Sequence, residues 1–483
     1  MESASVVRMP LWDSPFKDKT KSRVSRTKIN TNGNSRNSLV TKSALLSVSK
    51  WLPPRDEHSD YWWSMVGPHF AALFRNADYS LEAQYEFLLF IYHQVAPRLG
   101  SSPRVLALGS AKGDSGLSLD GTHIEYSWRW NDPGTKPEIR MVMEPFSRFA
   151  GTYMDPLNIK PATEMLYSMA PQIPSLDMSL FNHFIGKFYD AAQHKYLETN
   201  ERPIMTNVCL GFEFLGNEIL PKAYFFPRKL GQVGLTPMAV WEDAITSTVP
   251  DTPTIGTVFS FVKGEAPDLG LTLTPLWLGI DVVRPADARL KLYCVEARTS
   301  FESVKSILTM GGKIDVPGNL LEKAWELMKA VCNLPADFPQ DEDLPKAPQY
   351  NVSTDGVDTA GLWGTFAYYF DIGLRQHELP DVKFYIPVCH YGADDQAIAE
   401  AITNWMVDNG RGQYVDAYWS SLRNIIPHRD LKESRGVHMW VSMMIRGGKL
   451  QVTTYIAPEG HHPKRHGGAA GVHREIAARV TGF

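Results

Sequence analysis

Several short runs of the chain alternate apolar and polar residues with period two. On a strand such positions project to opposite faces. The runs are Ile124–Trp130, Ile139–Met143, Val208–Phe214, Pro221–Phe226, Leu290–Val295, Val382–Val388, His438–Ile445 and Gln451–Ile456. Other segments carry the helical period. Ser80 is suited to cap a helix with Leu81, Tyr85, Leu88, Leu89 and Tyr92 on one face, closed near Pro97 and Gly100. Ser300 precedes a helix bearing Phe301, Val304 and Leu308, stopped by Gly311-Gly312. Leu320, Leu321, Ala324, Leu327, Met328 and Val331 mark another. Asp394 or Asp395 is placed to cap a helix with Ile398, Ile402 and Trp405, ending at Gly410. Strands come in neighbouring pairs with helices between the pairs, which points to antiparallel hairpins rather than parallel βαβ units.

Composition narrows the class. Of 483 residues, 43% are hydrophobic and 21% charged, enough apolar material for a large core. A formal net charge of -4 argues against nucleic acid or an anionic membrane as the main partner. No run of apolar residues is long enough to span a bilayer. Cys209, Cys294, Cys332 and Cys389 form no CxxC pair, and the opening residues lack the apolar run of a signal peptide, so a cytoplasmic location is expected. Lys17–Lys50 reads as a flexible basic tail and Gly460–Gly471 as a loose segment whose histidines could also take a metal. The expected organisation is a basic tail over 1–50, one domain over 51–459 and a second tail over 460–483. Dinucleotide fingerprints, a P-loop and a nucleophile elbow are all missing.

One constellation recurs. Lys222-Ala-Tyr224, Lys291-Leu-Tyr293 and Lys383-Phe-Tyr385 each place a cation two residues before a tyrosine, and Arg289 extends the middle row. These residues share one face of their strands, while Ala223, Leu290 and Leu292 share the other. Any single pair could be a solvent-facing lysine lying over a ring. Three pairs backed by an apolar face suggest a closed lumen instead. Clustered buried cations call for an anion. A diphosphate suits Lys and Arg, and tyrosine rings would shelter an allylic cation formed as it leaves. Glu125, among aromatics in His123–Trp130, could accept a hydrogen bond from an acceptor N–H or O–H, or could be an ordinary exposed glutamate. Asp394-Asp395 and Asp341-Glu342-Asp343 do not make a DDxxD magnesium cluster, the first reading as a helix cap and the second as a solvated loop, so no metal is expected.

These features resemble the fungal aromatic prenyltransferases of the dimethylallyltryptophan synthase type. The resemblance runs from about Tyr61 to Pro458, carried by Tyr61-Trp62-Trp63, by Ala77–Gly100 and by the spaced Lys-x-Tyr strands. It implies an α+β fold, a closed ten-stranded antiparallel β-barrel surrounded by helices (the ABBA barrel), with the active site in the lumen. It implies metal-independent transfer of a dimethylallyl group, with no cofactor, from dimethylallyl diphosphate to an aromatic acceptor, in fungal secondary metabolism. By the same resemblance Glu125 binds the acceptor N–H. Arg140, Lys222, Arg289, Lys291, Lys383 and Arg446 bind diphosphate, and Tyr224, Tyr293, Tyr385 and Tyr455 shield the cation. Two positions depart from the pattern. Gln451 replaces a shield tyrosine, and Cys209, thirteen residues before Lys222, stands where members acting on free tryptophan carry a lysine base. Both are candidates for setting acceptor fit or donor size. The insertion around Asn131–Pro137 is longer than in some members. An indole acceptor is expected first, and a phenolic one second. A non-catalytic isoprenoid-diphosphate carrier is the reading outside enzymology. Whether a second copy of the chain joins it in a homodimer is open.

Overall fold

In the computed structural model, which describes residues 44–103, 115–198, 206–232, 234–248, 252–345, 364–373 and 379–466, ten strands close into one barrel. They are β1 (Ile124–Arg129), β2 (Glu138–Met143), β3 (Val208–Leu215), β4 (Glu218–Phe225), β5 (Thr274–Asp281), β6 (Arg289–Glu296), β7 (Phe366–Gly373), β8 (Asp381–Ile386), β9 (His438–Arg446) and β10 (Lys449–Ile456). Each pairs antiparallel with the next, and β1 pairs with β10, Tyr126 opposite Ile456. The β9–β10 hairpin turns through Gly447 and Gly448 at φ 56° and 69°, a left-handed pair that glycine adopts without a steric penalty.

Two strands lie outside the eight runs that alternation marks. In β5, Pro275 and Gly279 interrupt the pattern. In β7, Phe-Ala-Tyr-Tyr-Phe is apolar at both parities, so no alternation appears.

Closure gives every strand an outer and an inner face. Outer residues such as Tyr126, Trp128, Phe212, Phe214, Phe225, Leu292 and Phe370 are buried against the surrounding helices. Phe214 meets Phe74 and Phe87 at ring-centroid distances of 5.0 and 4.9 Å, and Tyr126 meets Phe70 at 4.8 Å. These rings bind the helices Glu57–Asn76 and Leu81–Phe90 to the barrel wall. The helix after Ser80 buries only part of the expected face: Leu88 and Tyr92 are buried, and the rest of the inward face differs. Ala83, Phe87 and Leu88 are buried, with Ile91 and Val95 in the π-helical turn that follows, whereas Leu81 and Leu89 are exposed. Only the exposed Glu82, Glu86 and His93 mark a polar side, and the apolar arc opposite is too wide for its period to fix which part of it docks.

The ordered fold also extends past both expected boundaries. Residues 44–51 are helical, with Ala44 and Val48 in the core, inside what reads as the basic tail. At the other end Gly460 N–H donates to Thr122 Oγ1 at 2.8 Å and Arg465 Nε to the Glu459 carbonyl at 2.9 Å. The remainder of both tails lies outside the described residues. Among the described residues no helix is long and apolar enough to cross a membrane.

A buried charge cluster ties a helix to the barrel end. Asp394 is the cap of helix Asp395–Asp408, accepting Ala397 N–H at 2.8 Å. Asp395 is fully buried, takes Arg429 at 2.6 Å, and accepts the N–H groups of Val437 and His438 where β9 begins. Arg429 also forks onto Glu459. Asp395→Leu should lower stability by about 3–5 kcal/mol, because it strands part of a buried guanidinium and two N–H groups. Urea denaturation measures this, and an unchanged midpoint would refute it.

Candidate active site

The inner face of the barrel is a chemically separate compartment. Its apolar members Tyr293, Val295, Ala367, Tyr369, Tyr385 and Met444 cluster with Tyr224, Trp277, Trp440 and Tyr455, apart from the outer core. Every expected Lys-x-Tyr pair points inward. Lys222, Lys291 and Lys383 are only 5%, 6% and 5% exposed. Strand register brings them level. Lys222 lies opposite Asp281, Lys291 opposite Asp371, and Lys383 opposite Met444, which in turn faces Gln451.

Cations gather toward one end. Arg129, Arg140, Arg289, Lys291, Lys383 and Arg446 line a cavity of about 250 Å³ together with Glu138, Glu213, Tyr369, Met444 and Gln451. Lys222 stands beside it, bonded to Asp281. Arg289 and Arg446 sit at the rim and are the most accessible of the set, Arg446 pairing with Asp381 at 3.1 Å.

Arg129 was not among the expected diphosphate ligands, and neither were the carboxylates that stand between these cations. Glu138 bridges Arg129 and Arg140 at 2.8 and 2.7 Å. Glu213 holds Arg140 at 2.9 Å and lies 3.4 Å from Lys222. Asp281 bonds Lys222 and holds Arg289 at 2.7 Å. Burial opposes ionisation of Glu213, but Arg140 and Lys222 overcome it and hold the carboxyl down at about 2. Asp281 is likewise held well below the usual range against burial, by Lys291, Lys222 and Arg289. The expectation that only a bound anion could balance these cations is therefore corrected: most carry an internal partner. Asp281 and Asp371 belong to the two strands that alternation did not mark, so the pattern could not have placed them.

Lys383 is the exception. Among the described residues it makes no ion pair; Nζ donates to Tyr455 Oη at 3.2 Å. It lies 5.2 Å from the Tyr385 ring centroid, 5.7 Å from Tyr455 and 6.0 Å from Tyr369. Burial, then Arg140 and Arg129, push its ammonium well below the ordinary value. Burial and neighbouring Lys222 push Lys291 down to about 8, although Asp281 lies 3.6 Å away.

Beyond the cations lies a continuous wall of rings. Tyr293 is 6.2 Å from Tyr224, 5.9 Å from Tyr385 and 5.2 Å from Tyr369, and stacks on Trp277 at 4.6 Å. Tyr385 is 5.7 Å from Tyr455 and 6.4 Å from Trp440. Trp277, Tyr369 and Trp440 carry no lysine two residues earlier, so the Lys-x-Tyr spacing does not mark them. Gly211 and Gly279 seat the Tyr224 ring: a Cβ at either would fall 2.9 or 3.0 Å from it. Burial raises the phenols of Tyr224, Tyr293 and Tyr385 well above their ordinary value, so they remain neutral rings.

Glu125 extends from β1, on the same face as Ser127 and Arg129. It is 6% exposed, and burial raises its carboxyl well above the ordinary value. Among the described residues it has neither a hydrogen bond nor an ion pair, so it is not the exposed strand glutamate. Cys209 is buried opposite Tyr224, and burial, with Glu144 and Glu125 nearby, raises its thiol well above the ordinary value, which removes it as a base. Glu144, just past β2 and not expected, accepts the Ser115 and Thr206 hydroxyls at 2.8 Å each; burial pushes it to about 7.

Two acidic groups outside the lumen have structural places. Asp343 is not a solvated loop residue; it accepts the N–H groups of Thr299 and Ser300 at 2.7 and 2.9 Å. His462 lies near His428 and Glu459, their ligand atoms within 4.8 Å, but Arg429 already forks onto that carboxylate.

Residues 58–421 match the family described as tryptophan dimethylallyltransferase. Among curated relatives, the prenyltransferase anuH of Penicillium roqueforti is 38% identical, the match covering 87% of this chain and 94% of that protein. Xanthone prenyltransferase A of Emericella nidulans is 37% identical over 85% of this chain and 94% of its own. Among solved structures, AnaPT from Neosartorya fischeri superposes with a TM-score of 0.71 at 23% identity, covering 86% of this chain and 98% of that one. NotF in complex with brevianamide F and DMSPP superposes at 0.69 and 20% identity, covering 87% and 100%.

The lowered value of Lys291 has a sign that can be tested. Folding favours its neutral amine, so the cost is full below pH 8 or so and fades as pH rises toward the unfolded value of roughly 10.4. The stability of the wild type should rise relative to Lys291→Met across that interval. Equal slopes in the two proteins, followed by urea denaturation, would contradict the assignment.

Proposed function

The chain belongs to the tryptophan dimethylallyltransferase family and is an aromatic prenyltransferase, and on that premise we propose that it transfers a dimethylallyl group from dimethylallyl diphosphate to an aromatic acceptor without a metal ion. Family membership removes the carrier reading. The observation that carries the proposal is the neighbourhood of Lys383, an ammonium without a carboxylate partner among the described residues, ringed by Tyr369, Tyr385 and Tyr455. It stands ready for an anion on one side and for a developing carbocation beside the rings.

In this reading Arg140, Lys222, Arg289, Lys291, Lys383 and Arg446 hold the diphosphate, supplying the positive charge that magnesium supplies in DDxxD enzymes. The allylic C–O bond breaks and its electron pair leaves with the diphosphate. The carbocation rests among Tyr224, Tyr293, Tyr385 and Tyr455, with Trp277, Tyr369 and Trp440 completing the wall; each ring contributes about 0.5–2 kcal/mol and the set excludes water. The acceptor ring attacks, and loss of its ring proton restores aromaticity. Glu125, buried with no hydrogen-bond or ion-pair partner among the described residues, takes the acceptor N–H or O–H and fixes which carbon faces the cation.

Both kinds of acceptor suit Glu125. The indole reading is supported by the fold it shares with NotF, whose solved complex contains brevianamide F. The phenolic reading is supported by the two xanthone prenyltransferases of Emericella nidulans, at 37% and 34% identity, which are nearer in sequence. Cys209, a neutral thiol where a lysine base would serve free tryptophan, counts against that one indole, and on the identity of the xanthone prenyltransferases a polyketide-type phenol is the acceptor class we favour.

Mass spectrometry of products from dimethylallyl and geranyl diphosphates, with mixed indoles and phenols and a chelator present, tests the whole scheme. Prenylated product should form with chelator, and its loss on chelation would refute the metal-free claim. Glu125→Gln should lower kcat on the order of 100-fold while leaving the donor KM nearly unchanged; wild-type turnover would remove the acceptor role. Lys383→Met should raise the donor KM about tenfold or more, through loss of one charge-assisted contact; an unchanged donor KM would take Lys383 out of the diphosphate cradle.

A further inference from the structure

Three cations of the cradle converge on one side chain. Asp281, at the end of β5, bonds Lys222 through Oδ1, which lies 3.6 Å from Lys291 Nζ. Its Oδ2 accepts from Arg289 Nε at 2.7 Å. Its side chain is 13% exposed, and among the described residues every hydrogen bond it accepts comes from a lumen cation rather than from backbone. It also borders a second cavity of about 610 Å³ at the rim, which it shares with Lys222 and Arg289. A carboxylate used only to brace the wall would bond strand or turn backbone, as Asp343 and Asp395 do elsewhere in this chain.

We propose that Asp281 is a resident counter-ion that competes with diphosphate for Lys222, Lys291 and Arg289, and so sets how tightly the leaving group is held. This rests on the diphosphate reading above. Before the donor binds, Asp281 is the carboxylate shared by all three cations, which would otherwise repel one another; Glu213 assists at Lys222 and Asp371 at Arg289. An arriving diphosphate carries more charge and more acceptor oxygens, so it displaces Asp281 from part of this set. After transfer, the carboxylate returns to its partners as the diphosphate departs. Without such a competitor the cradle would bind its product more firmly, and release would slow. Asp281 is thus a positioning residue acting through the cations.

Titration calorimetry with inorganic diphosphate, on the full chain, tests this. Asp281→Asn should bind diphosphate about tenfold more tightly, the scale set by removing one unit charge from such a site. Its donor KM should fall, and diphosphate should inhibit turnover at lower concentration. Asp281→Glu should return all three toward wild type. A purely bracing role would not raise affinity, so unchanged or weaker binding in Asp281→Asn, with native circular dichroism, overturns the proposal. If that variant does not fold, Glu213→Gln, which relieves Arg140 and Lys222, must show the same tightening or the proposal fails. Should the wild type itself not bind diphosphate, the diphosphate reading falls and takes this inference with it; binding by the wild type without tightening in the variants rejects the inference alone.

Discussion

A sheet that closes on itself gives its strands two surroundings. Outer side chains of these ten strands meet helices and form the main core, while inner ones meet only each other. A lysine ammonium on the inner face loses most of its water, and bulk solvent cannot restore it. Each such charge must be paired, lie over a ring, or give up its proton more readily. All three outcomes occur here. Lys222 is paired with Asp281, Lys383 lies among tyrosine rings, and Lys291 is displaced to about 8.

The same constraint grades the lumen along its axis. Toward the rim, cations and carboxylates alternate, from Arg129 through Glu138, Arg140, Glu213, Lys222, Asp281 and Arg289. Deeper in, charge gives way to aromatic faces that can shelter a cation without offering it a nucleophile. An allylic diphosphate has the matching polarity, anionic at one end and cation-forming at the other. In the proposed reading the excess of cations at the rim would attract the donor, and the carboxylates keep that excess small.

Two glutamates show how position assigns role. Glu213 and Glu125 are both buried on the inner face, yet Glu213 is held down at about 2 while Glu125 is raised well above the ordinary value. The difference is company. Glu213 has Arg140 and Lys222, whereas Glu125 has no ion pair among the described residues. A carboxyl left in that state gains most from a hydrogen-bond donor brought by an acceptor molecule.

Local pattern alone decided much of this protein. The period-two runs located eight of the ten strands, and the Lys-x-Tyr spacing fixed which side chains share a face, because side-chain direction along a strand follows from backbone geometry. The resemblance to a known family supplied closure and the ten-strand count. What tertiary structure decided was the company each group keeps. The carboxylates Glu213, Asp281 and Asp371 and the ring of Tyr369 reach the site across strand pairings between segments distant in the chain, and Trp277 and Trp440 join it across shorter connections. β5 and β7 hid their contributions because a proline, a glycine and an unbroken apolar run erase alternation. The inward face of the helix after Ser80 was only partly legible for a related reason: a wide apolar arc can dock over several of its positions, and only the shape of the wall it meets selects them.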